Sequence, residues 1–381
     1  IYKCFKKKIR MAKIYTALGL MSGTSMDGID ASIIKSDGEN TFETVFDQYY
    51  RYDEKLYREL IDIRDRINSF KDLKNNKILI DSLEKKITLF HAEICEEIIQ
   101  KQSFEVDLIG LHGQTIFHDA DKKVSIQLGD GNLLSKILKK KIIYNFRKND
   151  LLNGGQGAPL APIFHQLLVK KNKIKLPVGI LNIGGIANIT IINSKDSNNL
   201  KSYDIGPGNC LLDEWIRKHS KARYDKNGEL AKVGTTNKII LNQAIDNFNN
   251  TLISFDVKDF DLNFVRGLSL EDGLSTLTDF TTFIICDLII KELNLIEDNF
   301  LKILVCGGGR KNLLLFDKIK EKLPNNIKVN LIDDYKIDGD FVESQAFAYL
   351  AIRSYLKKPI SFPQTTNVKM PCIGGVLVEN Y

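Results

Sequence analysis

Short apolar runs, glycine turns and charged helical stretches alternate along the whole chain. The first apolar run, Ile14 to Met21, leads into a turn rich in glycine and hydroxyl side chains, and alternation of apolar and polar positions resumes over 29–33. This pattern predicts a strand, a tight turn and a second strand. A third strand is predicted over 41–52.

Further elements follow in the first half from the same criteria. They are helices at 53–67, 77–102 and 130–140, and strands at 106–111 and 141–146. The strand at 106–111 leads into His112 to Thr115 (HGQT), which we interpret as a loop rich in side-chain donors. Polar groups just beyond the carboxyl end of a strand lie at the usual ligand edge of an α/β sheet, so we expect this loop to contact a ligand. A plain turn is the alternative.

The second half of the chain repeats the opening pattern. Residues 177–192 (PVGILNIGGIANITII) again show an apolar run, a glycine turn and an alternating strand, with a spacing that resembles 14–34. Such internal duplication predicts two similar domains facing a shared cleft. A third glycine turn, Gly307 to Asn312, follows a buried strand at 301–306 and is predicted to open a helix. Other helices are predicted near 163–169, 237–252 and 276–293.

The turn after the first strand combines hydrogen-bond donors with acids. Ser22, Thr24 and Ser25 supply hydroxyls beside glycines that let backbone N–H groups approach a ligand, which suits phosphate. Asp27 and Asp30 lie in the same stretch, and acids beside phosphate donors usually imply a metal ion. A glycine-rich hairpin without a ligand is the alternative that this turn alone leaves open.

Three charged residues stand at predicted strand ends or helix starts. Asp204 ends a strand before a Gly-Pro-Gly turn, a suitable place for a general base, and Asn209 is the better candidate for capping the next helix. Arg147 precedes the small-residue run 154–159 and could anchor an anionic group, although most arginines are simply solvated. Glu343 lies in the first turn of a helix, where a glutamate usually complements the helix dipole.

Composition excludes some classes of function. The chain has 381 residues, 43% hydrophobic and 27% charged, which is ordinary for a globular protein of two domains. The net charge of the chain is +6, and residues 1–10 contribute five positive charges and no negative ones. The rest of the chain is therefore nearly neutral, and a nucleic-acid role lacks electrostatic support. No apolar run that we recognise approaches the roughly 20 residues of a membrane span, and no signal peptide is evident, so we expect a cytoplasmic protein.

Cysteine and histidine spacing offers no metal motif. The six cysteines are scattered without a C-x-x-C pair, and the histidines show no H-x-x-x-H spacing, so a structural metal site is not expected.

Together the motifs resemble those of a known family. GLMSGTSMDGID, HGQT, FRxxDxxxGGQGAPLAP, NIGGIANIT, DIGPGN, VCGGGRKN and ESQAFAYLA, in this order between about Ala17 and Pro363, are similar to the anhydro-N-acetylmuramic acid kinase family. That family lies within the superfamily of acetate and sugar kinases, heat-shock-70 proteins and actin. The opening motif and GGQGAPL are specific, whereas glycine pairs alone would not be.

The resemblance implies a fold and a domain organisation. The fold class is α/β, with two duplicated actin-like (ribonuclease-H-like) domains around a central cleft for ATP and substrate. The N-terminal domain is expected at 13–150 and the C-terminal domain at 151–381, with a last helix at about 343–357 that could pack back on the first domain. Residues 1–10 have no family counterpart, and residues 1–12 are expected to be an extension, either disordered or not native.

The resemblance also implies a reaction. The family adds water across the anhydro bond of 1,6-anhydro-N-acetylmuramic acid and phosphorylates O6 with ATP, giving N-acetylmuramate 6-phosphate and ADP in peptidoglycan recycling. ATP and Mg²⁺ are the implied cofactors. A homodimer is implied by the family alone, and neither nucleic acid nor membrane is an expected partner.

Matching the motifs residue by residue gives the expected site. Asp204 is the catalytic base, and Asp27 is the metal ligand with Asp30 as the alternative. Substrate contacts are Thr115, Arg147 and Glu343. The residues expected to hold ATP are Gly23, Thr24, Ser25, Met26, Asp27, Gly28, Ile29, Asp30, Asn182, Gly184, Gly185, Gly307, Gly308, Gly309 and Asn312.

Two other functions stay open at this point. One is a kinase for another amino sugar, and the other is a non-catalytic ATP-driven switch of the same superfamily, which would need the ATP turns but no sugar site. Asn145 and Ile205 depart from the family pattern, and the change at Asn145 could loosen the orientation of Arg147.

Overall fold

The computed structural model describes residues 13–102, 105–248, 254–296 and 300–381. The extension expected at 1–12 lies outside the described residues. Within them the strands are β1 (Tyr15–Ser22), β2 (Gly28–Ser36), β3 (Phe42–Arg51), β4 (Leu108–Asp119), β5 (Val124–Leu128), β6 (Lys141–Tyr144), β7 (Val178–Ile183), β8 (Ile186–Ile192), β9 (Leu200–Pro207), β10 (Leu301–Cys306), β11 (Ile327–Leu331) and β12 (Val376–Val378).

These strands form two sheets with the same internal order. The first runs β3-β2-β1-β4-β6, and the second runs β9-β8-β7-β10-β11. In each sheet three consecutive strands pair antiparallel, and two later strands then add parallel to the first of them. This shared topology is the ribonuclease-H-like arrangement of actin-like proteins, and it confirms the duplication predicted from the two apolar-turn-apolar patterns.

The helices of the described residues lie around and between the sheets. They are α1 (Glu54–Arg66), α2 (Phe70–Asn75), α3 (Lys77–Lys101), α4 (Gly131–Leu138), α5 (Lys148–Leu152), α6 (Pro162–Lys171), α7 (Cys210–His219), α8 (Glu229–Val233), α9 (Lys238–Asp246), α10 (Leu270–Leu293), α11 (Leu313–Lys322), α12 (Val342–Tyr355) and α13 (Pro363–Thr366). We call the first sheet with α1–α4 the first lobe, and the second sheet with α7–α11 the second lobe.

Helix α10 corrects one expectation from the sequence. It is long and apolar enough to cross a membrane by length and composition, whereas no such span was expected from the sequence. Most of it is buried in the apolar core of the second lobe, as in the core helix of a soluble protein.

A shared apolar core joins the two lobes. It lies between the sheets and contains α6, α12 and side chains from both central strands, such as Ala17 of β1 and Val178 of β7. Each lobe has a second core on its outer side. The shared core therefore sets how the two sheets face each other.

Helix α12 follows the second sheet in the chain but packs on the first sheet. A Cβ built on Gly19 would lie 2.1 Å from the Ser344 carbonyl oxygen, and one on Gly110 would lie 2.4 Å from that of Phe347. Strand β12 also joins the first sheet, antiparallel to β6. The domain limits given above stay a prediction, and these contacts show the chain returning to the first lobe.

The HGQT segment is not a loop, so that prediction is wrong. Strand β4 continues through it to Asp119 because β5 supplies a hydrogen-bonding partner, with Gln114 opposite Leu128 and an irregularity after Thr115. Two smaller differences occur elsewhere. Strand β9 runs past Asp204 to Pro207, and a 3₁₀ turn separates Gly307 from α11.

Candidate active site

The first glycine turn joins β1 to β2 at the edge of the first sheet. The Met26 N–H donates to the Gly23 carbonyl at 3.2 Å, and Met26 takes a φ of 57° to close the turn. The Gln114 side chain of β4 donates to the same carbonyl at 2.9 Å. The Ser25 hydroxyl donates to the Asp27 carboxylate. The turn is therefore held from both sides while the glycine at position 23 has open space beside it.

The second glycine turn meets the first across the cleft. A Cβ built on Gly185 would lie only 2.2 Å from the Thr24 hydroxyl oxygen, so the turns of the two sheets are in contact. The backbone N–H of Asn209 donates to the Gly184 carbonyl at 2.8 Å, which joins this turn to the start of α7. Gly184 itself has no close side-chain neighbour.

Of the three glycines in the third turn, one has space for a side chain and two do not. A Cβ on Gly307 would lie 2.2 Å from the Asn182 side-chain oxygen, and one on Gly309 would lie 2.2 Å from Ile183. A Cβ on Gly308 would meet nothing within 4 Å. The Asn312 side chain accepts the Leu315 N–H at 3.1 Å and caps α11. Backbone at Gly308 is thus accessible to a flat ligand.

Neighbouring side chains enclose two other residues of the expected ATP site. The side chain of Ile29 lies fully inside the first-lobe core, so only its backbone could reach a ligand. A Cβ on Gly28 would lie 2.5 Å from the Tyr49 ring.

Arg147, Asp204 and Glu343 are brought together from three distant segments. Arg147 lies just before α5, Asp204 in β9 and Glu343 in the first turn of α12. The charges of Glu343 and Asp204 both act on the buried guanidinium of Arg147 and oppose the lowering of its pKa by burial. Glu343 accepts a hydrogen bond from the Asn182 side chain at 3.2 Å. Burial raises the pKa of Glu343, and Arg147 counters this.

Asp204 is buried but not fully paired. Its side chain is 8% exposed, and Oδ2 accepts the Phe255 N–H at 2.9 Å. Burial raises the pKa of Asp204 to about 7, while the Phe255 hydrogen bond and the Arg147 charge lower it. A carboxylate with a pKa near neutrality can both take and release a proton at working pH.

Arg147 is oriented by a neutral histidine. Its Nη2 lies 2.9 Å from His112 Nε2, and its Nη1 donates to the Gly157 carbonyl at 2.9 Å. Burial and the Arg147 charge hold the pKa of His112 well below its usual range, so Nε2 accepts while Nδ1 donates to the Gly113 carbonyl at 2.7 Å. The buried Nε of Arg147 has no hydrogen-bond partner among the described residues, which fits an anionic ligand beside it. The departure at Asn145 adopts a φ of 55°, which asparagine tolerates, and leaves these bonds in place.

Thr115 lies in a different part of the cleft from this ionic group. It lines a cavity of about 540 Å³ together with Thr24, Met26, Gln156 and residues 254–259. Its hydroxyl accepts a hydrogen bond from Gln127 at 3.3 Å. Arg147, Asp204 and Glu343 do not line that cavity, although the Phe255 that does so also donates to Asp204.

Carboxylates concentrate near the first turn. Burial, followed by the charges of Glu343 and Asp27, raises the pKa of Asp30 to about 8. Asp213 of α7 faces the same region, and burial with the charge of Asp27 raises its pKa to about 7 against the effect of Arg217. Among the described residues, no group of three or more histidine, cysteine, aspartate or glutamate side chains is placed to bind a metal by itself.

The GGQG segment wraps around Asp150. The carboxylate of Asp150 accepts the Gly157 N–H at 2.7 Å and the Thr366 hydroxyl at 2.6 Å. A Cβ on Gly155 would lie 2.1 Å from the same carboxylate. The Asp150 side chain therefore fixes the loop whose Gly157 carbonyl holds Arg147.

Sequence reasoning missed several residues that hold the site together. His112 and Asp150 stood inside recognised motifs, so their neighbourhood was a usable signal. Gln114 was noted only as part of HGQT. Phe255 and Lys258 lie in a stretch without any motif, and no sequence signal indicated that they reach the site.

The family model and the most similar relatives by sequence agree on one family. Residues 15–380 match the family model described as anhydro-N-acetylmuramic acid kinase. A relative of that name from Pelagibacter ubique is 63% identical over 97% of this chain and 100% of its own length, and one from Agrobacterium fabrum is 34% identical with the same coverage. A solved activator of 2-hydroxyisocaproyl-CoA dehydratase from Clostridium difficile with bound ADPNP covers 90% of this chain and 96% of its own at 10% identity, with a TM-score of 0.40.

Proposed function

The chain belongs to the anhydro-N-acetylmuramic acid kinase family, and from that premise we propose that Asp204 is the general base of its reaction. The protein is an ATP-dependent kinase of cell-wall recycling. The observation that carries the proposal is the buried Asp204, with one oxygen held by the Phe255 N–H and the Arg147 guanidinium nearby.

The base assignment gives a balanced pair of steps. Asp204 takes a proton from the water that attacks C1 of the anhydro sugar, and the bond between C1 and O6 breaks. The released O6 then attacks the γ-phosphorus of ATP, the bond from that phosphorus to the bridging oxygen breaks and ADP leaves, and Asp204 returns its proton to solvent. Because Oδ2 is engaged by Phe255, the other oxygen is the one available for the water proton.

Arg147, Glu343 and Thr115 are the proposed substrate contacts. The unpartnered Nε and the fixed plane of Arg147 suit the lactyl carboxylate of the sugar. Glu343, held by Asn182, suits a sugar hydroxyl, and Thr115 lies on the wall of the adjoining cavity. The charge of Arg147 also keeps Asp204 more ionised than burial alone would allow.

The three glycine turns are the proposed ATP site. Among the described residues, a Cβ built on Gly308 of the third turn would meet nothing within 4 Å, and one on Gly23 or Gly184 of the two facing turns would meet nothing closer than 3.4 Å. Their backbone could approach phosphates at the first two turns and the adenosine at the third. Contact between Thr24 and Gly185 supports a site in which both lobes grip one nucleotide.

Asp27 is the proposed Mg²⁺ ligand. Mg²⁺ is commonly held by one or two carboxylates plus phosphate oxygens and water, which fits a first turn with Asp27 and Asp30 and no larger cluster among the described residues. Burial, followed by the charges of Glu343 and Asp27, raises the pKa of Asp30 to about 8, and a cation bound beside it would favour its charged form. When bound, the ion would neutralise charge on the transferring phosphoryl group.

Asp204→Asn tests the base. Asparagine keeps the shape and can still accept the Phe255 N–H, so this variant should bind ATP and the anhydro sugar yet lose nearly all release of ADP. Calorimetry for binding and a coupled assay for ADP would measure both. If more than a tenth of the turnover remained, less than about 1.4 kcal/mol of barrier would depend on Asp204 and the assignment would be wrong.

The oligomeric state and the cellular location belong to the same proposal. We propose a homodimer and a cytoplasmic location, both supported by the family resemblance. No described contact bears on the location.

A further inference from the structure

Residues 254–259 form a strap between the two lobes. One end of the strap is anchored in the second lobe by aromatic side chains. The ring of Phe255 lies 5.3 Å from that of Phe260 and 6.0 Å from that of Phe248. Phe248 in turn packs on Phe280 of α10. The other end of the strap reaches the first lobe through Lys258.

Lys258 caps a helix that belongs to the opposite lobe. Its ammonium group donates to the Arg64 carbonyl at 2.5 Å, to the Ile67 carbonyl and to the Asn68 side-chain oxygen at 3.1 Å. These acceptors lie at the C-terminal end of α1, where helical carbonyls lack partners and the helix dipole is negative. A cation from the second lobe therefore satisfies groups that the first lobe leaves open.

The same strap reaches the catalytic carboxylate. The Phe255 N–H donates to Asp204 at 2.9 Å, and the Ser254 hydroxyl donates to the Gln156 side chain at 3.2 Å. Between these contacts and Lys258 the backbone is stiffened by a reciprocal cap. The Lys258 N–H donates to the Asp256 carboxylate at 3.0 Å, and the Asp256 N–H donates to Asp259 at 2.7 Å. A short, hydrogen-bonded stretch of backbone thus links Lys258 to Phe255.

The strap and the end of α1 also form one wall of the cavity that contains Thr115. We propose that Lys258 is a positioning residue, which closes the strap over the cavity that Thr115 lines by capping α1 and thereby keeps the Phe255 N–H on Asp204. The proposal rests on the assignment of Asp204 as the base. It adds that lobe closure and orientation of the base are one event.

The test compares Lys258→Met with Arg223→Met. Arg223 also crosses from the second lobe to α1, where it pairs with Glu54 and lies 4.0 Å from the Tyr57 ring centre, but it is not on the strap. Since hydrogen bonds from charged groups are lost, Lys258→Met should lower kcat/KM for the anhydro sugar by roughly tenfold or more, with KM for ATP little changed. Arg223→Met should change neither quantity by more than about twofold. Lys258→Arg, which can still donate to several carbonyls, should recover most of the loss.

Amide hydrogen exchange measures the protection of the strap independently of turnover. In the wild-type protein the anhydro sugar should slow exchange in residues 254–259 and at the end of α1 together, and Lys258→Met should abolish that coupling while exchange elsewhere is unchanged. Equal kinetics for the two methionine variants, or no protection of the strap by sugar in the wild type, would overturn the proposal. Turnover by Asp204→Asn would instead overturn the base assignment, and the exchange result would stand apart from it.

Discussion

At the scale of single residues, burial decides what each ionisable side chain of the site can do. Burial raises the pKa of Asp204 to about 7. Burial and the charge of Arg147 hold the pKa of His112 well below its usual range, so this histidine is neutral. Neither property follows from residue type, because the ordinary pKa of an aspartate is near 4 and that of a histidine near 6.5. The sequence predicted Asp204 as a base, and burial makes its carboxylate a stronger proton acceptor than that of an exposed aspartate.

The pH dependence of turnover follows from that pKa. A base acts when it is deprotonated, so kcat/KM for the anhydro sugar should be lost as pH falls through about 7, the pKa of Asp204. Below that pH the loss should approach about tenfold per pH unit. A pH profile of initial rates with saturating ATP would measure it.

Asp213→Asn is the matched control for this profile. Burial also raises the pKa of Asp213 to about 7, so it titrates over the same range as Asp204. The loss at low pH should persist in this variant. Its disappearance would assign the titration to Asp213 and contradict the base assignment.

At the scale of elements, close approach of backbones explains why glycine occurs where it does. Helix α12 lies on the first sheet only because β1 and β4 carry Gly19 and Gly110 beneath it. The side chains of Ser344 and Gln345 help to attach α12. The Ser344 hydroxyl lies 2.6 Å from that of Ser32, and Gln345 donates to Asp47 at 2.9 Å. This attachment places Glu343 in the cleft.

Gly307 and Gly308 should respond differently to alanine. At Gly307 the φ is +80° and an added Cβ would lie 2.2 Å from Asn182, so Gly307→Ala should lower the free energy of unfolding by about 2–4 kcal/mol. At Gly308 the added methyl has open space, so thermal unfolding should be unchanged while KM for ATP rises roughly fivefold or more through a clash with the nucleotide. Thermal melts and ATP kinetics of both variants would check this. An unchanged KM for Gly308→Ala would place the nucleotide elsewhere.

The HGQT segment is a case in which the secondary structure predicted from the sequence was wrong. The donors in HGQT indicated a loop, but β5 returns along β4 and converts the segment into a strand. The pairing depends on a hairpin whose second strand is only five residues long and weakly patterned. The Gln114 side chain still reaches the first glycine turn, now from a strand.

At the scale of the whole molecule, the two lobes are joined by a shared core and by contacts across the cleft. The repeated pattern predicted a duplication, and the shared strand order of the two sheets confirms it. The return of α12 and β12 to the first sheet depends on packing rather than on any repeat.

The proposed homodimer can be measured at this scale. The C-terminal segment exposes several apolar side chains, 40–74% exposed, which a second copy could cover; they are Met370, Ile373, Val376 and Leu377. Sedimentation equilibrium should give twice the chain mass of 43.2 kDa across micromolar concentrations. A single-chain mass throughout that range would contradict the dimer.

The sequence by itself determined the strand and turn patterns, their duplication, the three glycine turns and the family, because these depend on spacing between near neighbours. Only the tertiary structure decided the pairing of Arg147 with His112, of Asp204 with Phe255 and of Lys258 with α1. These partners are separated by 35, 51 and about 190 positions along the chain, and no local periodicity encodes such contacts. They form because packing of two similar lobes around one core brings the ends of unrelated segments into a single cleft.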